Sequence, residues 1–277
     1  MSTRINHNIL SMTAQRNIWN TQNDLDKAVQ RLSSGLRINN AWDDPAGLAI
    51  SERFRAQIAS MDEAERNANA NINMMQTAEG ALATMDELLI RMRALSIEAS
   101  NGSLTSSDRA ALNVEFQQLS SELTRIANVT NYNGLNLLNG DYSSTGVKFH
   151  IGTFNVQNED YYHVTFSSMT ASSLGVSSLT LTSTTNAQNA IGAIDTAIDL
   201  KDTERTRIGA YVERLQGTLS NLMTSRENAA ASESMIRDAD IASEMSNYVR
   251  AQILMQTGIS MLSQANMVPQ LVAGLVS

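Results

Sequence analysis

The chain has 277 residues, 42% of them hydrophobic but only 5% aromatic, with 2 Pro and no Cys. A formal net charge of −8 and the lack of any Lys/Arg cluster exclude a surface built to displace counterions from nucleic acid phosphates or an anionic membrane. Disulfide and thiolate chemistry are excluded too, no run of eighteen apolar residues offers a membrane span, and "MSTRINHNILSMTAQRNIW" lacks the unbroken apolar centre of a cleavable signal.

Few aromatics, abundant Ala, Leu, Met, Gln and Asn, and little Pro favour long helices meeting along narrow seams. The first begins with Ile5, Ile9 and Met12 and continues through Leu25, Val29, Leu32 and Leu36 at three- and four-residue steps, weakening near Gly35. The stretch "SSGLRINNAWDDPAGLAI" (33–50) then punctuates an otherwise helical chain. Gly35 is read as the end of the outer helix, the Asn residues and Trp42 as a crossing packed at a joint, and Asp43 or Asp44 as a cap. Pro45 opens the next helix, where its missing N–H is no loss. That helix carries Phe54, Ile58, Met61, Ala68, Ile72, Met75, Leu82, Met85, Leu89 and Met92 and stops near "ASNGS".

Thr105 and Asp108 have the spacing of a capping box. Leu112, Phe116, Leu119, Leu123 and Ile126 follow, so a second long helix is expected antiparallel to the first. "TNYNGLNLLNGDYSS" (130–144) is rich in turn residues. Beyond it the period changes to two, with Val147, Phe149 and Ile151 and then Tyr162, Val164 and Phe166, which predicts a β-hairpin over about 146–168, closed around 153–160. The Ser/Thr-rich residues 167–188 read as surface loop or weak strand. Helical spacing resumes at Ile191, Ile194 and Ile198 and runs to Leu222. After "RDAD" (237–240) a last helix carries Met245, Tyr248, Met255, Ile259 and Leu262 and is expected to end at Pro269.

The two ends share one oddity. From Ala251 to Ser277 no side chain is charged, and between residues 5 and 23 only Arg16 is. A solvated helix of a monomer shows a charged face, so these arms invite burial against other chains. The central helices carry Asp, Glu and Arg freely and tolerate water on one side. The fold expected is therefore mainly α, with long antiparallel, coiled-coil-like helices, a small β-hairpin, and the N- and C-terminal helices paired. Residues 1–44 with 236–277 form a terminal module; residues 45–235 form the helical core.

Chemistry is sparse. His7, His150 and His163 are the only histidines, and two of them on adjacent strands, without Cys or paired carboxylates nearby, make a poor zinc site. No H-E-x-x-H, P-loop or G-x-G-x-x-G is present, so no metal or cofactor is expected. The methionines, at helical spacing, read as filler of the seams.

Four blocks, "LSSGLRINNAWDDPAGLAIS" (32–51), "QTAEGAL" (76–82), "RMRALSIEASN" (91–101) and "ESMIRDADIASEMSNYVRAQILMQTGISMLSQANMVPQ" (233–270), closely resemble bacterial flagellin. They stand in family order, and the likeness covers nearly all of the first 140 and the last 90 residues. The resemblance implies a minimal flagellin: terminal helices paired as an inner layer, an α-helical second layer with a hairpin, and no variable outer domains. It further implies a self-assembling subunit of an extracellular filament used for motility. Such a chain is exported unfolded by the flagellar type III apparatus with an export chaperone and added at the tip beneath a cap protein, where it meets hook-associated junction proteins. No nucleic acid partner and no membrane insertion are expected. Flagellins recognised by toll-like receptor five, a host innate immune receptor, carry an Arg, a Leu four residues on and a Glu on the following helix. Arg91, Leu95 and Glu115 match, although Ile90 and Ala94 depart from the commonest form. The same patch serves as an intersubunit surface in the family, while Leu95 reads equally as core and Arg91 with Glu115 as an exposed pair. The alternatives are a hook–filament junction protein, a soluble coiled-coil adaptor, against which the uncharged arms argue, and an enzyme, for which no catalytic set is present.

Overall fold

A computed structural model describes residues 7–276, with side chains for 7–268. The described residues form five helices, α1 (Ile9–Ser34), α2 (Pro45–Ala99), α3 (Ser106–Val129), α4 (Thr184–Arg237) and α5 (Ile241–Val276). Between α3 and α4 lie two antiparallel strand pairs, β1 (Asn131–Tyr132) with β2 (Leu135–Asn136) and β3 (Val147–His150) with β4 (Tyr161–Val164). The fold is mainly helical with a small hairpin, as the residue pattern predicts. No described helix is long and apolar enough to cross a membrane.

Two compact units result. One takes the described residues up to Ile58 and from Glu227; the other is Ala59–Arg226. The division falls inside α2 and α4, which run without a break through 58/59 and 226/227, rather than at 44/45 and 235/236.

Within Ala59–Arg226 the core follows a heptad logic. Met75, Ala78, Leu82, Met85, Leu89, Met92, Ser96 and Ala99 of α2 are fully buried, repeating at alternate steps of three and four, and Leu95 is buried among them. They meet Phe116 and Leu123 of α3 and Ala187, Ala190, Ile194, Ala197 and Leu215 of α4 in one cluster. The charges of α2 and α4, read from sequence as a solvated face, instead tie the two helices together. Arg93 pairs with Asp195 at 2.6 Å, Glu79 with Arg205 at 2.6 Å, and Arg226 with Asp62 and Glu65 at 2.8 Å each. Lys201, with its side chain only 2% exposed, is held by Asp86 and, at 2.8 Å, by Asp202. As residue numbers rise along α2 they fall along α4, so the helices are antiparallel.

α3 starts at the expected capping box: the Asp108 amide donates to Thr105 Oγ1 and the Thr105 amide to the Asp108 carboxylate. The hairpin is also as read, with Phe149 opposite Tyr162 and Val147 opposite Val164. Its tip is organised by the buried Asp160 carboxylate, which accepts the amides of Phe154 (3.0 Å) and Val156 (2.9 Å). The extra pair β1/β2 closes on Asn133 (φ 49°) and Gly134 (φ 82°), the left-handed geometry of a tight hairpin turn.

Two expectations are corrected. Residues 167–183 are irregular but not a surface loop: Met169, Ala171, Leu174, Val176 and Leu181 are buried in the core. α3 side chains pin the segment, Asn113 Oδ1 accepting the Leu181 amide at 2.8 Å and Gln117 Nε2 donating to the Leu179 carbonyl at 2.7 Å. Pro269 lies inside α5 and does not end it; proline forfeits one backbone bond, and here the helix resumes beyond it.

Candidate functional site

The terminal helices pair antiparallel. At one end Asn8, the N-cap of α1, accepts the Ser11 amide and donates through Nδ2 to the Ala265 carbonyl at 2.7 Å, while Ser11 Oγ reaches Asn266 Oδ1 at 2.8 Å. At the other end Arg31 pairs with Glu244 at 2.8 Å. Glu244 sits in the first turn of α5, where the helix dipole favours an acid, and is nearly buried. Between these ends the helices meet on small residues, the buried Ala28 and Ala251 and the tight contact of Gly258 with Ile18. A groove of about 360 Å³ runs along the pair, lined among others by Leu10, Ala14, Ile18, Leu254 and Met261.

The residues assigned to the assembly arms divide between seam and surface. Leu25, Leu32, Tyr248, Met255 and Leu262 are half-buried; Ile9, Val29, Met245 and Ile259 are exposed, and Ile5 lies outside the described residues. Leu10, Met12, Trp19, Val249, Ile253, Leu254, Met261 and Met267 are exposed as well. The pair therefore covers only a narrow stripe of its apolar surface, and an apolar exposure this extensive marks an interaction site. Sequence reading picked the large residues and missed Ala28, Ala251 and Gly258; small residues recurring in an uncharged arm are the signal that could have found them.

The stretch expected to connect two modules, residues 33–50, lies inside the unit that reaches Ile58. Gly35 takes the left-handed conformation (φ 73°) and its amide returns to Arg31 O at 2.8 Å, ending α1. Asp43 accepts the amides of Asn39 and Asn40; Asp44 accepts that of Gly47 at 2.8 Å and so caps α2, with Pro45 in its first turn. The crossing also has a second strand that the sequence did not disclose. The Arg37 amide donates to Arg237 O (2.7 Å), and the Ala239 amide to Gly35 O (2.9 Å). Arg237 then binds Glu52 at 2.7 Å, and Ile38 is fully buried. Trp42 packs no joint. It is 78% exposed, because Ile38 takes the buried position in the crossing.

In the second unit Arg91 Nη2 lies 2.7 Å from Glu115, both side chains about half exposed, whereas Leu95 is fully buried. The ion pair is presented to solvent; the leucine belongs to the core. His150 and His163 are not cross-strand partners: His150 faces Tyr161, and His163 faces Lys148. Among the described residues no group of His, Cys, Asp or Glu is arranged to hold a metal ion.

Comparison with known proteins places both ends of the chain. Residues 5–143 match the bacterial flagellin N-terminal helical region and residues 191–276 the bacterial flagellin C-terminal helical region. The chain belongs to the bacterial flagellin family. A flagellin of Halalkalibacterium halodurans is 42% identical over 272 residues, covering 98% of this chain and 99% of that one. The flagellar filament 33 kDa core protein of Treponema phagedenis is 40% identical over 286 residues, with 98% and 99% coverage. The crystal structure of Bacillus cereus flagellin, 28% identical, covers 61% of this chain and 94% of that one at a TM-score of 0.49. Flagellins are structural proteins, not enzymes, and at 277 residues this chain is a short, minimal member of the family.

Proposed function

We propose that this chain is the repeating subunit of an extracellular flagellar filament and that the paired helices α1 and α5 are its polymerising element. One observation carries the reading: residues 9–23 of α1 and 251–268 of α5, which hold Arg16 as their one charged side chain, leave a broad band of large apolar side chains in water, including Trp19, Ile253, Ile259 and Met261. Apolar surface of this kind is stabilised when removed from water, at about 25 cal/mol per Å². A chain presenting it along both terminal helices is completed by further copies of itself. That a relative of nearly equal length is a flagellar filament core protein supports the same conclusion.

Export through the flagellar type III apparatus in unfolded form, with a chaperone, fits a chain with no cysteine to cross-link it and arms that gain their full burial only on assembly. Addition at the tip under a cap protein, and junctions with hook-associated proteins, complete the proposal. Arg91 and Glu115 are assigned to an exposed patch available to a neighbouring subunit or to a toll-like receptor, with Leu95 supporting it from beneath.

Purified chain incubated with short filament seeds at near-neutral pH, followed by sedimentation and negative-stain electron microscopy, tests the reading. The full chain extends the seeds; a chain lacking residues 240–277 keeps its central helices and does not. Growth by the truncated chain would refute α5 as polymerising element, and a full chain inert on good seeds would move the assignment to a junction or adaptor role.

A further inference from the structure

The methionines differ sharply in exposure along the fold. Met61, Met74, Met75, Met85, Met92 and Met169 are at most 6% exposed, all within Ala59–Arg226. Met12 on α1 and Met245, Met261 and Met267 on α5 are 51–65% exposed, and on α4 Met223 and Met235 are exposed as well, by 46% and 79%. Two of the exposed set stand at one level of the pair, since Ser11, beside Met12, is bonded to Asn266, beside Met267; Met261 lies about two turns earlier on α5. The buried methionines fill a core. The exposed ones fill nothing in the folded chain.

We propose that Met12, Met245, Met261 and Met267 are sites of reversible oxidation by peroxide and that their oxidation state controls self-assembly. The inference rests on the reading of α1 and α5 as the polymerising element. In the reaction, hydrogen peroxide transfers one oxygen atom to the thioether sulfur. The sulfur lone pair forms the S–O bond, the O–O bond breaks, the sulfur is oxidised by two electrons, and peroxide leaves as water. Exposure decides which thioethers react, and with no Cys in the chain no thiol competes for the oxidant. The product is a strong acceptor on a formerly apolar side chain. From Ala251 onward the arm offers no charged donor to pair with it once water is excluded. A subunit oxidised on this face stays folded and loses its affinity for the growing end, and methionine sulfoxide reductases restore it. In the assembled state the same sulfurs are covered and protected.

The test uses the full-length chain, wild type and a variant carrying Met12→Leu, Met245→Leu, Met261→Leu and Met267→Leu, which keeps apolar volume and helix propensity without a thioether. Both are titrated with hydrogen peroxide, mapped by peptide mass spectrometry and offered to seeds. Oxygen is expected on the four arm methionines and on exposed Met223 and Met235 before the six buried ones; Met223 and Met235 still take up oxygen in the leucine variant and so isolate the effect of the arm positions. Seeded growth of the wild type should fall roughly tenfold or more and return after treatment with both sulfoxide reductases, while the leucine variant grows unchanged at the same dose. Unimpaired growth of arm-oxidised wild type would overturn the proposal and leave the polymerising role intact, as would equal loss in the leucine variant or simultaneous oxidation of core and arm. Failure of untreated wild-type chain to grow would overturn the polymerising role itself, and the control of assembly with it.

Discussion

Gly258 stands against Ile18 so closely that a Cβ on the glycine would come within 2.9 Å of Ile18 Cγ1. The α1/α5 pair is thus set by a missing side chain, and filling that space pushes the helices apart. Gly258→Leu is expected to cost the pairing about 1–3 kcal/mol, as overpacking does, and to abolish seeded growth. Thermal unfolding of residues 59–226 should be unchanged, and combining it with Ile18→Ala should recover part of the growth. Circular dichroism melts and sedimentation of the two variants check this.

Lys201 is the most deeply buried charge between α2 and α4, held by Asp86 and Asp202. Lys201→Ala leaves Asp86 without its cation. A loss of about 3 kcal/mol is expected, the low end for breaking a buried pair, because Asp86 can partly rehydrate. Lys201→Met, which fills the volume, should lose less. Denaturant unfolding followed by helical signal distinguishes them.

Both tryptophans, Trp19 and Trp42, are exposed in the described chain. Their fluorescence is expected to shift to shorter wavelength as copies assemble, giving a continuous readout of growth. Trp42→Ala should leave the melting temperature of the monomer unmoved and alter filament shape or stability. A monomer destabilised by this change would show that the ring is packed after all.

Leu95 and Arg91 are one turn apart on α2 and have different jobs. Leu95→Ala should destabilise the core by about 2–5 kcal/mol. Arg91→Ala, which removes an exposed pair, should leave the melting temperature unchanged. Any receptor-signalling defect of Arg91→Ala is then a contact effect, whereas that of Leu95→Ala must be measured below its melting temperature to be interpretable.

Several carboxylates are held below their usual range in the folded chain. Glu52 is held down by bonds to Arg237 and Arg55, Asp195 by Arg93, and Asp160 by the amides of Val156 and Phe154. A depressed folded pKa contributes stability that is present above the unfolded pKa and is lost as pH falls through the folded value. Stability should therefore be flat near neutrality and fall below about pH 4.5. Asp160→Asn should loosen the hairpin tip at pH 7 and remove part of the acid dependence, as read by hydrogen exchange of residues 152–160 across pH.

Most of the fold was legible because the hydrophobic period is strong: steps of three and four for α1 to α5, a period of two for β3 and β4, and a complete capping box at Thr105. The burial of residues 167–183 was hidden because Met169, Leu174, Val176 and Leu181 follow no period; α3 side chains place them. Trp42 misled through size: in a crossing pinned by backbone bonds from Arg37 and Ala239, the smaller Ile38 holds the buried position. At the site, the absence of charge revealed the arms, while Ala28, Ala251 and Gly258 were invisible to a reading that looks for large apolar residues.

The bond from Asn8 to Ala265 spans 257 positions of sequence. Loop-closure entropy grows only logarithmically with such a span, so distance does not forbid the contact; it delays it. A nascent or damaged chain that stops before α5 can still fold residues 59–226 and yet has nothing for α1 to pair with. The polymerising element is thus a certificate of completeness: it exists only in a molecule whose first and last helices have both arrived.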